Sequence, residues 1–406
     1  MRIRNIASIA LMIIIMTIIW PDYKQDRSAD IYPAFFEPTY AEEILEAGKY
    51  SRERIWYVSD LLTMKERIFE LHHLYPRDYR PLIKTPVKVK GIYMTGAVFH
   101  HTKLFNRLID IVDNTELNSL VIDIKDDRGY LSAKFDSEEI RKVDPNVHRG
   151  RNVYKNMRII TEKNIYPIAR IVVFKDPLLA SAHEEYAILD KNGRPWLDRK
   201  GLAWVDPHCK EVWAYTVNIA KEAAKLGFHE IQFDYVRFPT DGNIEMAVYP
   251  YATGQKKEDV ISEFLAYAKE ELDEYNVFIS ADVFGLTTLT VDDMAMGQKF
   301  EKIMTQVDYI CPMVYPSHYE AGNYGFSNPN ANPHEVVRRA LLDALNKAQG
   351  SEVIVRPWLQ DFTLGKPKYG IDEVLAQIEA TYAAGLDEWL LWNAGNNYTV
   401  GALMEN

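Results

Sequence analysis

From Val87 to Tyr398 one unit recurs eight times: a short apolar strand with a polar or aromatic end, a loop, an amphipathic helix, and a Gly or Asn turn. The strands are expected at Val87–Tyr93, Ser119–Ile124, Tyr166–Val173, Glu230–Val236, Val277–Phe284, Val307–Tyr315, Val353–Leu359 and Glu388–Trp392. Helical periodicity fills most gaps, as at Lys210–Leu226, Asp259–Tyr275, His334–Ala348 and Ile371–Ala383. Nearly continuous apolar strands alternating with helices imply a parallel sheet buried on both faces. Eight such units predict an α/β chain closed into a (β/α)8 TIM barrel. The rival, a doubly wound open sheet, lacks support because no glycine-rich dinucleotide loop follows the first strand.

Three regions are expected: residues 1–21, residues 22–86 and a barrel over 87–400. Arg2 and Arg4 precede an apolar run from Ile6 to Trp20, ended by Pro21, Asp22 and Lys24. That order reads as a signal peptide or membrane anchor, although the run is short beside the ~20 apolar residues of a spanning helix. It places the chain outside the cytoplasm, secreted or held at the cell membrane through residues 6–20. A linker follows, and apolar residues at steps of three and four between Glu42 and His73 predict a helical extension ended by Pro76 and Pro81.

A net charge of −11 argues against nucleic acid, whose phosphates need a basic footprint. Two distant cysteines, Cys209 and Cys311, exclude a disulfide scaffold and a Cys-rich zinc site. The histidines show no ligand spacing, so neither metal nor cofactor is expected; the acidic cluster Asp123, Asp126 and Asp127 is the best metal candidate. No phosphate loop or nucleophile elbow occurs.

In such barrels the site is built where the strands end. The ends here supply Asp123 and Lys125, Asp176, Asp234 with Tyr235 and Arg237, Asp282, Tyr315, Trp358 with Gln360, and Trp392 with Asn393. Carboxylates, cations, amides and aromatic planes at one mouth suit cleavage of a glycosidic bond, which needs an acid and a second carboxylate. Asp234 and Asp282 are the best pair, since each interrupts an apolar strand where an unpaired charge is costly. Asp123 is a third candidate. Arg237 is expected to pair with one of them. Tyr93, Tyr315, Trp358 and Trp392 are candidate sugar platforms, and Lys125 could hold Asp123 or a hydroxyl. The competing reading makes the Asp residues ion-paired braces and the aromatics caps on the core.

The stretches GIYMTGAVF (91–99), LVIDIKDDRG (120–129), PIARIVVFKDP (167–177), IQFDYVRFP (231–239), ADVFG (281–285) and ICPMVYPSHY (310–319) resemble the bacterial putative glycosyl hydrolase domain family, domain of unknown function 4015. The resemblance spans Val87 to Tyr398 and implies a (β/α)8 barrel distantly similar to the α-amylase superfamily. There the nucleophile is an Asp ending strand four and the acid a Glu ending strand five. Asp234 matches the first; strand five carries Asp282 instead, and Gln232 stands where those enzymes have an arginine. The expected function is hydrolysis of an extracellular or cell-envelope polysaccharide. The alternatives are a non-catalytic carbohydrate-binding barrel, separable by whether the acids are saturated by cations, and a metal-dependent carbohydrate-modifying enzyme needing three converging ligands.

Overall fold

The computed structural model describes residues 86–135, 137–143 and 152–404. The apolar run Ile6–Trp20 and the helical extension Glu42–His73 lie outside the described residues. The localisation drawn from that run is corrected: among the described residues no helix is long and apolar enough to cross a membrane.

Strands β1 (Lys90–Met94), β2 (Ser119–Lys125), β3 (Tyr166–Val172), β4 (Glu230–Asp234), β5 (Phe278–Phe284) and β6 (Tyr309–Met313) pair in sequence order, all parallel. The seventh stave is split into β7 (Ile354–Val355) and β8 (Trp358–Gln360), both beside β6. Pro357 explains the split, because it has no N–H to give the ladder. Finally β9 (Trp389–Trp392) joins β8 to β1 and closes the barrel of eight staves. The expected barrel is therefore present.

Each strand feeds two cores. Outward residues such as Ile92, Leu120, Ile122, Ile171, Ile231, Phe233 and Ile279 meet the helices. Inward residues, among them Val121, Ile168, Tyr309, Cys311, Trp358 and Leu390, fill the barrel itself. Gly91 belongs to this filling by having no side chain: a Cβ there would lie 2.8 Å from Leu390 Cδ2 and 3.2 Å from Ser119 Cβ. The main covering helices are α1 (Thr102–Asp113), α2 (Val153–Glu162), α3 (Lys210–Lys225), α4 (Lys257–Leu272), α5 (Pro333–Ala348) and α6 (Ile371–Ala383). Between β5 and β6 the chain departs from the regular unit, with a 3-10 turn at Gly285–Thr288 and a four-residue turn of α-helix at Phe300–Ile303.

At the end of the interior where the strands begin, Arg356 is fully buried between two carboxyls. Its Nη1 donates to both oxygens of Glu230 at 2.9 Å, and its Nε to Glu388 at 2.9 Å. The guanidinium lies 3.7 Å from the Tyr309 ring centroid. At the other end, the loops after β3 and β4 lock together. Leu189 and Val248 exchange N–H···O bonds of 3.0 and 2.7 Å, and Ile188 N–H donates to Trp204 O at 2.9 Å. This pairing sets Trp204 beside Tyr235 and Arg237.

Candidate active site

The chain leaves β4 at Asp234 and turns at once. Tyr235 adopts φ +48°, in the left-handed region that a side chain rarely occupies. Strained residues of this kind cluster at functional sites. The turn aims the Asp234 carboxylate into the barrel mouth and carries Arg237 over the rim.

A cavity of about 550 Å³ opens there, lined by Arg170, Asp234, Tyr235, Arg237, Asp282, Tyr315, Trp358 and Trp392, with methionines and loop residues around them. The sequence-predicted carboxylates Asp234 and Asp282 thus share one cavity with five other predicted site residues. Asp123 stands just behind, linked through Arg170.

Arg170 organises the cluster. Its Nη1 meets Asp123 Oδ1 at 2.5 Å, while Nε (3.1 Å) and Nη2 both donate to Asp234 Oδ2. The other Asp234 oxygen accepts the Tyr235 backbone N–H at 2.5 Å. Tyr93 donates its hydroxyl to Asp123 Oδ2 and stacks on Trp392 with centroids 4.1 Å apart. The guanidinium itself lies over both of those rings. Sequence reasoning gave the pairing role to Arg237; the structure gives it to Arg170, from the neighbouring strand. The signal was present, because Arg170 breaks the apolar run of its strand just as the Asp residues break theirs.

Asp282 differs. It is buried at 1% exposure and takes one strong bond, from the Trp358 indole Nε1–H to Oδ1 at 2.7 Å. Among the described residues it forms no ion pair. Burial, followed by the nearby Asp234 charge, pushes its carboxyl well above the usual range, and the attraction of Arg170 does not reverse this. Burial likewise raises Asp123, to about 6, against the pull of Arg170 and Tyr93. The folded chain therefore holds the Asp123 proton more tightly than the unfolded one, whose carboxyl titrates near 3.8. That contribution to stability is complete below the unfolded value and is lost as pH rises through the folded one. Between about pH 4 and 6 the wild-type Tm is expected to fall relative to that of Asp123→Asn. Parallel curves from calorimetry would contradict this.

Other predicted residues lie elsewhere. Lys125 and Asp176 form an ion pair of 2.6 Å with both side chains fully buried, and Asp176 also caps a short helix by accepting the Leu179 N–H. Gln360 is buried, accepting from the Ser317 N–H and donating to Phe362 O. Asn393 binds the carbonyls of Asp361 and Asn397. None of these four lines the cavity. Among the described residues no group of three or more His, Cys, Asp or Glu is arranged to hold a metal.

An acidic cavity at the strand ends of a closed parallel barrel is the architecture of a glycoside-hydrolase-like protein. Residues 91–398 match the model of the family described as "Putative glycosyl hydrolase domain", and the chain belongs to that family. A hypothetical protein from Ruminiclostridium thermocellum ATCC 27405 is 39% identical over 47% of this chain and 97% of its own, with a TM-score of 0.44. The PgaB (BpsB) glycoside hydrolase domain from Bordetella bronchiseptica is 11% identical over 79% of this chain and all of its own, with a TM-score of 0.56, a likeness of fold. The α-galactosidase TtGalA from Thermus thermophilus is 13% identical, covering 77% of this chain and 59% of its own, at 0.49. No curated protein matches the chain. The family match and the likeness of fold to the Bordetella domain join it to glycoside hydrolase folds broadly, not to the α-amylase superfamily in particular.

Proposed function

We propose that the chain is a glycoside hydrolase acting on a polysaccharide or oligosaccharide, with Asp282 as general acid and Asp234 as nucleophile or base. The observation that carries this is the contrast between two carboxyls in one cavity. Asp234 is gripped by a guanidinium and a backbone N–H, whereas Asp282 is buried without a cation and raised well above its ordinary range. Paired titratable groups with opposed surroundings are the usual arrangement of an acid and its partner. The Asp282 proton passes to the glycosidic oxygen as the anomeric C–O bond breaks and its electron pair leaves with that oxygen. Asp234 attacks the anomeric carbon, or removes a proton from the attacking water. Asp123 and Tyr93 position Arg170, Trp358 holds Asp282 from within the barrel, and Trp392 and Tyr315 line the cavity where the sugar would lie.

A non-catalytic carbohydrate-binding barrel is the second reading, favoured by the Asp123–Arg170–Asp234 brace, in which both acids are saturated by one cation. Asp282, with no such partner, separates the two. The test is release of reducing ends by the full chain from a panel of polysaccharides across pH. With Asp282 as acid, kcat/KM holds up to well above the ordinary carboxylate range and falls only as that proton is lost. A panel member that binds but releases no reducing ends at any pH would favour the binding barrel.

A further inference from the structure

Arg237 is the cation that the hydrolytic chemistry does not use. Its side chain is about nine-tenths buried yet lines the cavity that holds Asp234 and Asp282. Three aromatic rings wall it in: Trp204, Tyr235 and Phe284 lie with centroids 5.0, 5.1 and 5.0 Å from the guanidinium carbon. Only Nη1 is engaged, donating to Phe238 O at 3.0 Å and Thr240 Oγ1 at 3.4 Å. Among the described residues Arg237 forms no ion pair, and neither Nε nor Nη2 finds an acceptor.

That free edge is the one with which Arg170 grips Asp234. Two parallel N–H groups on a planar fork match the two oxygens of a carboxylate. Rings on three sides hold the fork in place, so little side-chain freedom is lost when it binds. Burial without a counter-ion is unfavourable for the cation and holds it below its ordinary pKa. An anion delivered by the ligand relieves that cost. Arg170, the other cation of the lining, is already held by the carboxylates of Asp123 and Asp234, which leaves Arg237 as the lining cation without an ion pair among the described residues.

We propose that Arg237 reads a carboxylate on the glycan, so that the site takes a uronic-acid-containing chain in preference to a neutral one. This rests on the carbohydrate reading of the cavity and adds the class of sugar. A hydroxyl-reading arginine would not need its second N–H aligned with the first, and it would leave the buried charge unmatched.

The test is calorimetric titration of the full chain with tetrasaccharides of galacturonate, mannuronate and a glucuronate-containing glycan. Each is paired with its own carboxyl-reduced form, in which the acid has become a primary alcohol. A sulfated galactan fragment forms a further arm. At least one uronate is expected to bind about ten-fold or more tighter than its reduced partner. Arg237→Met should abolish that preference, and Arg237→Lys, which keeps the charge but loses the fork, should lose most of it. Equal binding within every pair overturns the proposal, as does no binding by either member. Equal weakening of both members in Arg237→Met also overturns it, and preference confined to the sulfated galactan overturns the carboxylate assignment. The wild-type comparison stands even where a variant fails to fold. Turnover of neutral glycans by wild type and Arg237→Met alike would leave the hydrolase reading intact and sink this one. Uronate-selective binding without turnover would do the reverse.

Discussion

Asp282→Asn is expected to lower kcat on an unactivated glycan by about 10²–10⁴, the usual contribution of a general acid. Asparagine keeps an oxygen where Trp358 Nε1–H donates, so the cavity should hold its shape while losing its proton donor. The loss should depend on the leaving group. A p-nitrophenyl glycoside departs without much help, so the variant should recover most of its rate on such a substrate. Asp234→Asn should show no such rescue, because every substrate needs the attacking carboxylate or the water it activates. It also leaves Asp123 as the one carboxylate ion-paired with Arg170 among the described residues. Initial rates on the two substrate types, with circular dichroism on each variant, decide the matter. Equal losses for Asp282→Asn on both would assign it a positioning role, and wild-type rates in either variant would remove that residue from the chemistry.

The largest expected effect on stability lies at the far end of the barrel. Arg356→Met removes the guanidinium from between Glu230 and Glu388 and leaves two buried carboxyls facing one another. Stripping one partner from a buried ionic cluster costs about 3–5 kcal/mol, because the remaining charge is uncompensated. Burial already raises Glu388 above its ordinary range, and loss of Arg356, which opposes that rise, should lift it further. The variant should therefore regain part of its lost stability as pH falls and Glu388 takes up a proton. Chemical denaturation of wild type and variant at several pH values measures both effects. A cost below about 1 kcal/mol, or one independent of pH, would show that the interior tolerates the pair unaided.

The barrel was legible because its signal is redundant. Each stave carries an apolar string, and eight of them leave few alternatives. Strand edges were less so: β1 starts at Lys90 instead of Val87, and the seventh stave breaks around Arg356 and Pro357, a single proline inside an apolar run. Asp234 and Asp282 stood out because a charge inside an apolar strand needs a reason. Arg170 carries the same signal, but loop position drew the eye to Arg237. Which way a strand-end residue faces is set by pleat and bulge. The register of β2 against β3 shifts between Asp123 and Lys125, and Lys125 ends up paired with Asp176 outside the cavity. One unseen irregularity of that kind moves a residue from one side of the wall to the other.

Residues at the strand-starting end of such a barrel ordinarily answer for stability alone, and those at the strand ends for chemistry. Here the division is incomplete. The charge of Glu230, in the floor beneath the cavity, adds to what holds the proton on Asp282. The two ends share one low-dielectric shaft, through which a field is poorly screened. A substitution that re-balances the floor would therefore retune the acid at the mouth without touching it, so drift in the foundation and drift in the working pH of the site are tied together.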